Sequence, residues 1–219
     1  MKNKDLQIKI ATLRRDYSIL ELDEKSVMKD PLKQFGFWME QAIEAEIEDP
    51  NAMTLATADS TCQPDVRIVL LRGFGIEGFA FYTNYKSRKG EELAANKKAC
   101  LNFFWPELQR QVRITGRVSR VSSKASDAYF ASRPRESQLG AWASMQSAVI
   151  SDRVALMKTY DHYAEKYRDM DVPRPPHWGG YILKPRTFEF WQGRVSRLHD
   201  RIFFEKKRDG RWQVSRLAP

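Results

Sequence analysis

The chain has 219 residues, two cysteines and a formal net charge of +9 at neutral pH. A chain of this length can bury a sizeable core in one domain, so its fold requires neither disulfides nor metal. Cys62 and Cys100 form no CxxC pair and have no histidine at zinc-site spacing, which predicts a reduced, cytoplasmic protein without a metal site. No segment is long and apolar enough to cross a membrane. The positive charge favours anionic partners, either nucleic acid or phosphorylated small molecules.

Two helices are predicted at the N-terminus. Apolar residues recur at helical spacing over residues 6–17, and further along Asp30 and Pro31 supply an N-cap and a proline at the first helical position. We expect the helical segment of about residues 1–48 to pack on a single domain that spans residues 1–219. The predicted buried face of the second helix consists of Leu32, Phe35, Met39, Ala42 and Ile43.

From residue 53 onward, short β-rich runs replace the helical pattern. We interpret residues 67–72 and 79–84 as a strand pair that a glycine-rich turn joins, followed by a helix that begins near Ser87. Residues 111–119 alternate most clearly, which predicts an antiparallel sheet with one buried face. The other predicted strands cover residues 53–58, 99–105, 181–183, 187–191, 197–204 and, after an Asp-Gly turn, 212–214.

Three further helices are predicted within the β-rich part. One covers residues 123–132, Ser137 could cap a short second one, and Ser151 could cap a longer third one. Six to eight short strands interleaved with helices predict an α+β domain built on a barrel or a strongly curved antiparallel sheet. A doubly wound fold is disfavoured because no Gly-x-Gly-x-x-Gly motif follows a strand.

Cations surround the predicted strand pair. Arg67 and Arg72 bound its first strand, while Arg88 and Lys89 stand where the next helix begins. A helix N-terminus presents free N–H groups and positive partial charge, so cations there strengthen an anion site. This pattern predicts a socket for a phosphorylated ligand. The alternative is that the arginines only bound a buried strand and the other cations are solvated.

A second phosphate-like set follows in residues 129–147. The Arg133 guanidinium can give paired donors to a phosphate, and the hydroxyls of Tyr129 and Ser137 can add directional hydrogen bonds. Gln146 and Ser147 add further polar groups. Two sockets with aromatic residues between them suggest two phosphorylated, ring-bearing ligands bound face to face.

The third candidate set lies near the C-terminus. On a strand, Arg197, His199 and Arg201 would share one face, and two guanidinium groups around an imidazole repel each other unless an anion or electron-rich ring lies between them. The alternative is an edge strand with its cations in water. Trp191 could lie against a flat ring, although an isolated tryptophan is more often part of a core.

Protein acid–base chemistry has few candidates in this sequence. There are three histidines, and no Ser–His–Asp spacing, zinc motif or Walker loop is present. We therefore expect a bound cofactor to carry the chemistry, while the protein supplies orientation and charge.

Taken in order along the chain, these motifs resemble the pyridoxamine 5'-phosphate oxidase family. The resemblance implies an FMN-binding split β-barrel and a homodimer with both flavins at the subunit interface. It also implies oxidation of pyridoxamine 5'-phosphate or pyridoxine 5'-phosphate to pyridoxal 5'-phosphate, the final step of vitamin B6 cofactor synthesis and salvage. Dioxygen would accept the electrons and give hydrogen peroxide, with ammonia from the amine substrate. The matching segments are residues 13–17, 67–72, 81–84, 87–89, 132–134, 137–138, 190–193, 197–201 and 216–219.

The resemblance also implies residue roles. Arg67, Arg88 and Lys89 suit the FMN phosphate, and Arg201 would offset negative charge on the reduced flavin ring. The full FMN set is Arg67, Val69, Leu70, Tyr82, Thr83, Arg88, Lys89, Gln111, Gln146, Ser147, Trp191 and Arg201.

For the substrate, the resemblance implies that Arg197 and His199 form the catalytic pair and frame the pyridine ring, with Arg14 and Tyr17 as a lid. The substrate phosphate would meet Arg72, Tyr129, Arg133 and Ser137. The family usually has lysine where this chain has Arg72, which keeps the charge but replaces a compact ammonium with a planar fork.

Two alternatives keep part of this interpretation. A split-barrel FMN enzyme with other chemistry, such as a flavin reductase, would leave Arg133 and His199 without a ligand. A basic nucleic-acid-binding β-domain would explain the charge but would leave Trp191 and both sockets unused. The resemblance favours small phosphorylated B6 vitamers and dioxygen as partners, with neither nucleic acid nor membrane.

Overall fold

The computed structural model describes residues 2–12 and 20–219, which form helices around one antiparallel sheet. No helix within these residues is long and apolar enough to span a bilayer. The helices are α1 (Lys2–Thr12), α2 (Pro31–Glu44), α3 (Arg88–Ala95), α4 (Ser123–Ala131), α5 (Arg135–Ala143) and α6 (Arg153–Lys166). The strands are β1 (Ala52–Ala58), β2 (Pro64–Leu70), β3 (Gly73–Gly75), β4 (Gly78–Asn84), β5 (Lys98–Trp105), β6 (Arg110–Arg120), β7 (Trp178–Gln192), β8 (Asp200–Lys206) and β9 (Trp212–Arg216).

The sheet runs in the order β2-β1-β5-β6-β7-β4-β3, with β8 beside β7 and β9 beside β8. One edge of β7 pairs with β6, and the other edge is divided between two partners. Strand β4 pairs with residues 178–183 of β7, whereas β8 pairs with residues 187–192. This divided, curled antiparallel sheet confirms the predicted α+β split-barrel class.

Helix α2 packs its apolar face against the inside of the sheet. Asp30 accepts a hydrogen bond from the Leu32 amide and caps the helix, as predicted. Phe35 is completely buried and its ring contacts Phe79 at 4.9 Å between centroids. The predicted buried face was wrong at Ile43, which is 57% exposed; Trp38, which that prediction left out, is buried instead.

The predicted strand pair was wrong in its partners. Strand β2 pairs with β1, while β4 pairs with β3 and β7. The glycine-rich turn contains its own short strand, β3, and Gly78, with φ of +128°, makes the tight turn into β4. The two predicted strands near 181–191 are one continuous strand, β7.

Two predicted helix caps were displaced, and the third candidate set lies only partly on a strand. Ser137 lies inside α5, whose N-cap is Pro134, and Asp152 rather than Ser151 caps α6 through the Ala155 amide. Residues Val195–Arg197 form a 3₁₀ turn, and β8 begins only at Asp200. The expectation that one strand face carries the whole set was therefore wrong.

The close contact between α3 and the end of β4 depends on Gly90. A Cβ at Gly90 would overlap the carbonyl oxygen of Tyr85, whereas a Cβ at Gly140 of α5 would meet nothing within 4 Å. We expect Gly90→Ala to lower the free energy of unfolding by about 1–3 kcal/mol because the backbone must move apart.

Gly140→Ala is the matched control and should raise that free energy by about 0.5–1 kcal/mol, since alanine is the better helix former. Urea unfolding followed by circular dichroism measures both variants. Equal effects of the two substitutions would contradict the importance of this contact.

Candidate active site

A cavity of about 450 Å³ opens between β2, β4, the start of β7 and the helices α3 and α4. Strands β2 and β4 stand apart in the strand order, so the curl of the sheet brings their side chains to one space. The lining residues are Arg67, Ile68, Val69, Leu70, Arg72, Tyr82, Thr83, Asn84, Lys89, Tyr129, Arg133, Gln146 and Trp178.

Lys89 and the start of α3 form one end of the cavity. Lys89 is only 7% exposed, and its Nζ lies 3.4 Å from Ser87 Oγ. The Ser87 hydroxyl donates to the Asn84 carbonyl oxygen and does not cap the helix, so the first turn of α3 has no side-chain cap. Burial lowers the pKa of Lys89, and Arg67 lowers it further, while Glu92 acts in the opposite direction. An anion bound here would stabilise the charged lysine.

Arg67 and Arg88 are held by carboxylates beside this end. Arg67 Nη2 lies 2.7 Å from Asp65 and 2.9 Å from the buried Glu92. Arg88 lies 3.2 Å from each of the same two carboxylates and its side chain is 64% exposed. Arg67 lines the cavity and Arg88 does not. Lys89 and the α3 amides are therefore the groups left for an anion at this end.

Two arginines and a tyrosine form the other end. Arg72 follows β2, and Arg133 and Tyr129 come from the end of α4 and the turn after it. Burial lowers the pKa of Arg133; Tyr129 raises it, and the positive charge of Arg72 lowers it. Arg133 Nη1 is buried and has no hydrogen-bond partner among the described residues. An unpaired buried guanidinium nitrogen is costly unless a ligand satisfies it.

Gln146 joins the loop after α5 to β4 beside the cavity. Its Oε1 accepts hydrogen bonds from Thr83 Oγ1 at 3.1 Å and from the Asn84 amide at 3.4 Å. The neighbouring Ser147 has φ of +73°, an uncommon conformation for a non-glycine residue. Gln146 lines the cavity and Ser147 does not.

A second group of predicted site residues lies outside this cavity, around the C-terminal end of β7. Trp191 is the register partner of Gln111 on β6 and of Arg201 on β8. The His199 ring lies 4.6 Å from the Trp191 ring. Arg201 is held by Glu189 at 2.8 Å and donates to the Ala218 carbonyl oxygen at 2.7 Å. We call these residues the second half-site, a candidate site on the same chain.

The hydrogen bonding of His199 sets the tautomer of its neutral ring. The Arg194 amide donates to His199 Nδ1 at 3.1 Å, so this nitrogen is the acceptor and a neutral ring carries its proton on Nε2. Burial lowers the pKa of His199, and Arg197 lowers it further, while Asp200 opposes them. Burial and Arg197 thus favour the neutral ring, whose proton lies on Nε2.

The predicted site residues thus fall into three groups. Arg67, Val69, Leu70, Arg72, Tyr82, Thr83, Lys89, Tyr129, Arg133 and Gln146 line the cavity; Arg88, Gln111, Ser137, Ser147, Trp191, Arg197, His199 and Arg201 do not. Arg14 and Tyr17 lie outside the described residues. Arg197 is exposed in the 3₁₀ turn, with φ of +61°.

The sequence interpretation missed Ile68, Asn84 and Trp178, which all line the cavity. The signal for Trp178 was the Gly179-Gly180 pair that follows it. A Cβ on Gly180 would collide with the Tyr82 ring, so these glycines mark a close approach of the strand to other side chains.

Known proteins match this chain over nearly its whole length. Residues 39–167 match the profile of pyridoxamine 5'-phosphate oxidase, and residues 178–219 match the pyridoxine 5'-phosphate oxidase C-terminal dimerisation region. A pyridoxine/pyridoxamine 5'-phosphate oxidase of Acaryochloris marina is 54% identical over 97% of both chains. One from Cupriavidus necator is 53% identical over 96% of this chain and 99% of that relative.

The chain belongs to the pyridoxamine 5'-phosphate oxidase family. It is therefore an oxidoreductase of a flavoprotein family, as the resemblance implied.

Solved structures agree with this fold. PhzG from Burkholderia lata, in complex with tetrahydrophenazine-1-carboxylic acid, superposes with a TM-score of 0.87 at 28% identity and covers 94% of this chain and all of that one. A pyridoxamine 5'-phosphate oxidase-related, FMN-binding protein from Nostoc punctiforme has a TM-score of 0.69 at 17% identity, over 87% of this chain and 98% of that one, which supports the fold alone.

The cavity of this oxidase-family member fits two anionic groups. At one end stands the buried Lys89 beside the uncapped start of α3, and at the other the unpaired Arg133 Nη1 faces Arg72. Val69 and Leu70 between the ends offer apolar surface, and Thr83 and Gln146 offer polar atoms. These residues suit a phosphorylated cofactor such as FMN together with a second phosphorylated ligand.

The surroundings of His199 predict how the pKa of its ring responds to a substitution at Arg197. Because burial and Arg197 lower the pKa of His199, its ring should take up a proton at a lower pH than an ordinary imidazole does. Arg197→Gln removes a positive neighbour and should raise the pKa of His199, although burial continues to depress it.

Two-dimensional NMR of the histidine Cε1–H signals measures this titration. Arg168→Gln, which alters an arginine paired with Glu165 near the end of α6, is the control and should leave the His199 titration unchanged. A pKa of His199 that does not rise in Arg197→Gln contradicts the electrostatic description.

Proposed function

We propose that this protein oxidises pyridoxamine 5'-phosphate and pyridoxine 5'-phosphate to pyridoxal 5'-phosphate with bound FMN. The observation that carries the proposal is the cavity with a separate cationic group at each end, in a chain of this family. A single phosphate would leave one of the two groups, Lys89 or Arg133 with Arg72, without a counter-ion. Two phosphorylated ligands in contact satisfy both.

Lys89, Arg67 and the amides at the start of α3 would hold the FMN phosphate, with Arg88 outside the first contact. Val69 and Leu70 would lie along the flavin, with Tyr82, Thr83, Gln146 and Ser147 near it. When bound, FMN supplies the two-electron acceptor for the substrate carbon and passes the electrons to dioxygen. Since Asp65 and Glu92 already neutralise Arg67 and Arg88, Lys89 supplies the unpaired charge at this end.

The substrate phosphate would bind at Arg72, Tyr129 and Arg133. The buried Nη1 of Arg133 gains the hydrogen bond that it lacks, and the repulsion between Arg133 and Arg72 is relieved. Ser137 lies in the first turn of α5, near Arg133 in sequence, and could add its hydroxyl. The guanidinium groups of Arg72 and Arg133 can each bind a phosphate through two N–H donors. A lysine ammonium at position 72 cannot form such a bidentate contact.

The active site would be completed by a second copy of the chain. The cavity and the second half-site lie at opposite ends of β7, a strand of 15 residues, which is roughly 45 Å along its length at about 3.3 Å per residue. In a symmetric dimer the second copy would supply Gln111, Trp191 and Arg201 to the FMN, and Arg197 and His199 to the substrate. The match of residues 178–219 to a dimerisation region supports this arrangement.

His199 and Arg197 would position the pyridine ring. The neutral His199 presents a donor at Nε2 because Nδ1 already accepts from the Arg194 amide. Arg197 would lie across the ring as a cation, and Arg14 with Tyr17 would cover it. Rate enhancement would then come from orientation and electrostatics rather than from proton abstraction by a strong base.

Pyridoxamine 5'-phosphate, water and dioxygen give pyridoxal 5'-phosphate, ammonia and hydrogen peroxide. The alcohol substrate gives the same aldehyde and peroxide without ammonia. This reaction is the final step of vitamin B6 cofactor synthesis and salvage. We place it in the cytoplasm, where the free thiols of Cys62 and Cys100 stay reduced, and treat residues 1–219 as one domain.

The ligand of PhzG offers a different chemistry on the same fold. That ligand is a carboxylic acid, whereas the Arg72 and Arg133 end of this cavity offers two guanidinium groups that have no carboxylate partner among residues 2–12 and 20–219. This excess of positive charge suits a phosphate dianion, so the B6 substrates are the better match.

The absorption spectrum of the purified protein tests the reaction. With FMN bound, the visible flavin bands should bleach when pyridoxamine 5'-phosphate is added without oxygen. The bands should return when air is admitted, and hydrogen peroxide should then form. The same experiment with tetrahydrophenazine-1-carboxylic acid is the control. Flavin bands that persist with the B6 substrate would move the chemistry to another substrate class, and a protein that takes up no FMN would exclude the proposal.

Subunit complementation tests the shared site. Arg133→Met alters the cavity and Arg197→Met alters the second half-site, so each homodimer should lose most of its turnover at a fixed substrate concentration. When the two variants exchange subunits at equal amounts, half of the dimers are mixed and one of their two sites is intact, which should restore about a quarter of wild-type activity.

The matched control is a mixture of Arg133→Met and Tyr129→Phe, which alter the same half-site. Its turnover should not exceed the average of the two separate homodimers. No recovery in the first mixture, with exchange verified by mass spectrometry, would place both half-sites in one subunit. Full turnover of Arg197→Met at saturating substrate would remove Arg197 from the catalytic role.

A further inference from the structure

The Arg133 guanidinium lies over the ring of Trp178, with 4.6 Å between Cζ and the ring centroid. Trp178 is the first residue of β7, is 7% exposed and lines the cavity. A guanidinium plane over an indole face is a favourable cation–π arrangement. Trp178 therefore contacts the group that the proposed function assigns to the substrate phosphate.

Trp178 belongs to a stack of three parallel rings. The Tyr82 and Tyr129 rings lie 3.8 Å apart with 18° between their planes, and Tyr129 and Trp178 are within 4° of parallel. Tyr82 is also nearly parallel to Trp178, at 5.5 Å and 14°. The indole thus has a fixed plane that neighbouring aromatic residues define.

The backbone around Trp178 fixes this plane further. Arg174 Nη1 donates to the Trp178 carbonyl oxygen at 2.6 Å, and the Phe130 ring meets the indole edge-on at 5.1 Å. Gly180 has no side chain, and a Cβ there would collide with the Tyr82 ring. The Phe130 ring opposes a rotation of the indole, while Arg174 holds the Trp178 main chain and Gly180 allows Tyr82 to lie close.

Arg133 is held on its main chain, but no acidic side chain in the part of the chain that the structure describes holds its guanidinium. Gln138 Nε2 donates to the Arg133 carbonyl oxygen at 3.1 Å, and the same nitrogen bonds the Phe130 and Ala131 carbonyls. No described carboxylate forms an ion pair with Arg133, and its Nη1 is buried without a partner. The rings of Trp178, at 4.6 Å, and Phe130, at 5.5 Å, are the described aromatic contacts of the guanidinium, and the indole is the closer of the two.

We propose that Trp178 is a positioning residue for the substrate phosphate, acting through Arg133. The indole holds the guanidinium in one plane and leaves Nη1 available to the phosphate. This inference rests on the proposed function. Because the fork is already oriented, less side-chain freedom is lost when the phosphate binds, and affinity for the phosphorylated ligand rises. A ligand without phosphate gains nothing from Trp178.

The test compares pyridoxal 5'-phosphate with pyridoxal as ligands of the FMN-loaded protein, by equilibrium titration. Trp178→Leu keeps an apolar side chain but removes the ring, and should weaken pyridoxal 5'-phosphate binding about tenfold while pyridoxal binding changes less than about twofold. Trp178→Phe keeps a smaller ring and should lose about threefold for the phosphorylated ligand only. The KM for pyridoxamine 5'-phosphate should rise in the same order, with kcat largely retained.

Trp142→Leu is the matched control, because Trp142 packs against the same aromatic cluster and makes no contact with Arg133 among those that the structure describes. It should leave the ratio of the two affinities unchanged. Arg133→Leu should also cost less in the Trp178→Leu background than in the wild type, since the two residues act as a unit.

Three results overturn the inference. These are an equal loss of affinity for both ligands in the Trp178 variants, the same phosphate-specific loss in Trp142→Leu, or full additivity of the Trp178 and Arg133 substitutions. Failure of the proposed function looks different, because the wild-type protein would then bind pyridoxal 5'-phosphate no better than pyridoxal.

Discussion

Strand β7 has two different partners along one edge, and the positions of both half-sites depend on this division. A β-strand residue can bond only one neighbour on each side, so the sheet separates where β4 ends and β8 begins. The register with β6 shifts at the same level, between Thr115 and Gly116, and Arg186 on β7 has no partner there. A bulge of this kind bends the strand. The division leaves Trp178 in the cavity and Trp191 in the second half-site.

The electrostatic balance separates structural cations from those left for ligands. Glu92 is 5% exposed, and it is compensated by Arg67 and Arg88; Glu189 is similarly compensated by Arg113 and Arg201. A buried carboxylate needs such a partner because burial strongly penalises an isolated charge. Lys89, Arg72 and Arg133 form no ion pair with a described carboxylate. The excess of positive charge that the composition shows is thus concentrated, in part, where anionic ligands would bind.

Local patterns predicted much of the fold, and contacts between distant segments explain the rest. The helix start at Asp30-Pro31 and the strand over residues 111–119 were both predicted from patterns among neighbouring residues, and both predictions were confirmed. The glycine-rich turn was misleading, because two β-rich runs on either side of such a turn look the same whether or not they pair. The main partner of β4 is β7, which lies far along the chain, whereas β2 forms a local hairpin with β1. The cavity residues were found through motifs, but Trp178 was missed because its role comes from a stack with Tyr82, far from it in sequence.

The last residues of the chain are a structural part of the second half-site. The Ala218 carbonyl oxygen accepts from Arg201, and the Leu217 amide donates to the Arg201 carbonyl oxygen, so the guanidinium and the main chain of Arg201 are held from the same side. Arg216 pairs with Asp200 at 2.8 Å, and Asp200 in turn accepts from the Leu22 amide. Because Asp200 is the first residue of β8 and follows His199 directly, these contacts tie the segment that begins at residue 20 to the chain next to the imidazole. The short C-terminal motif therefore acts by fixing Arg201 and Asp200, and its own side chains need not touch a ligand.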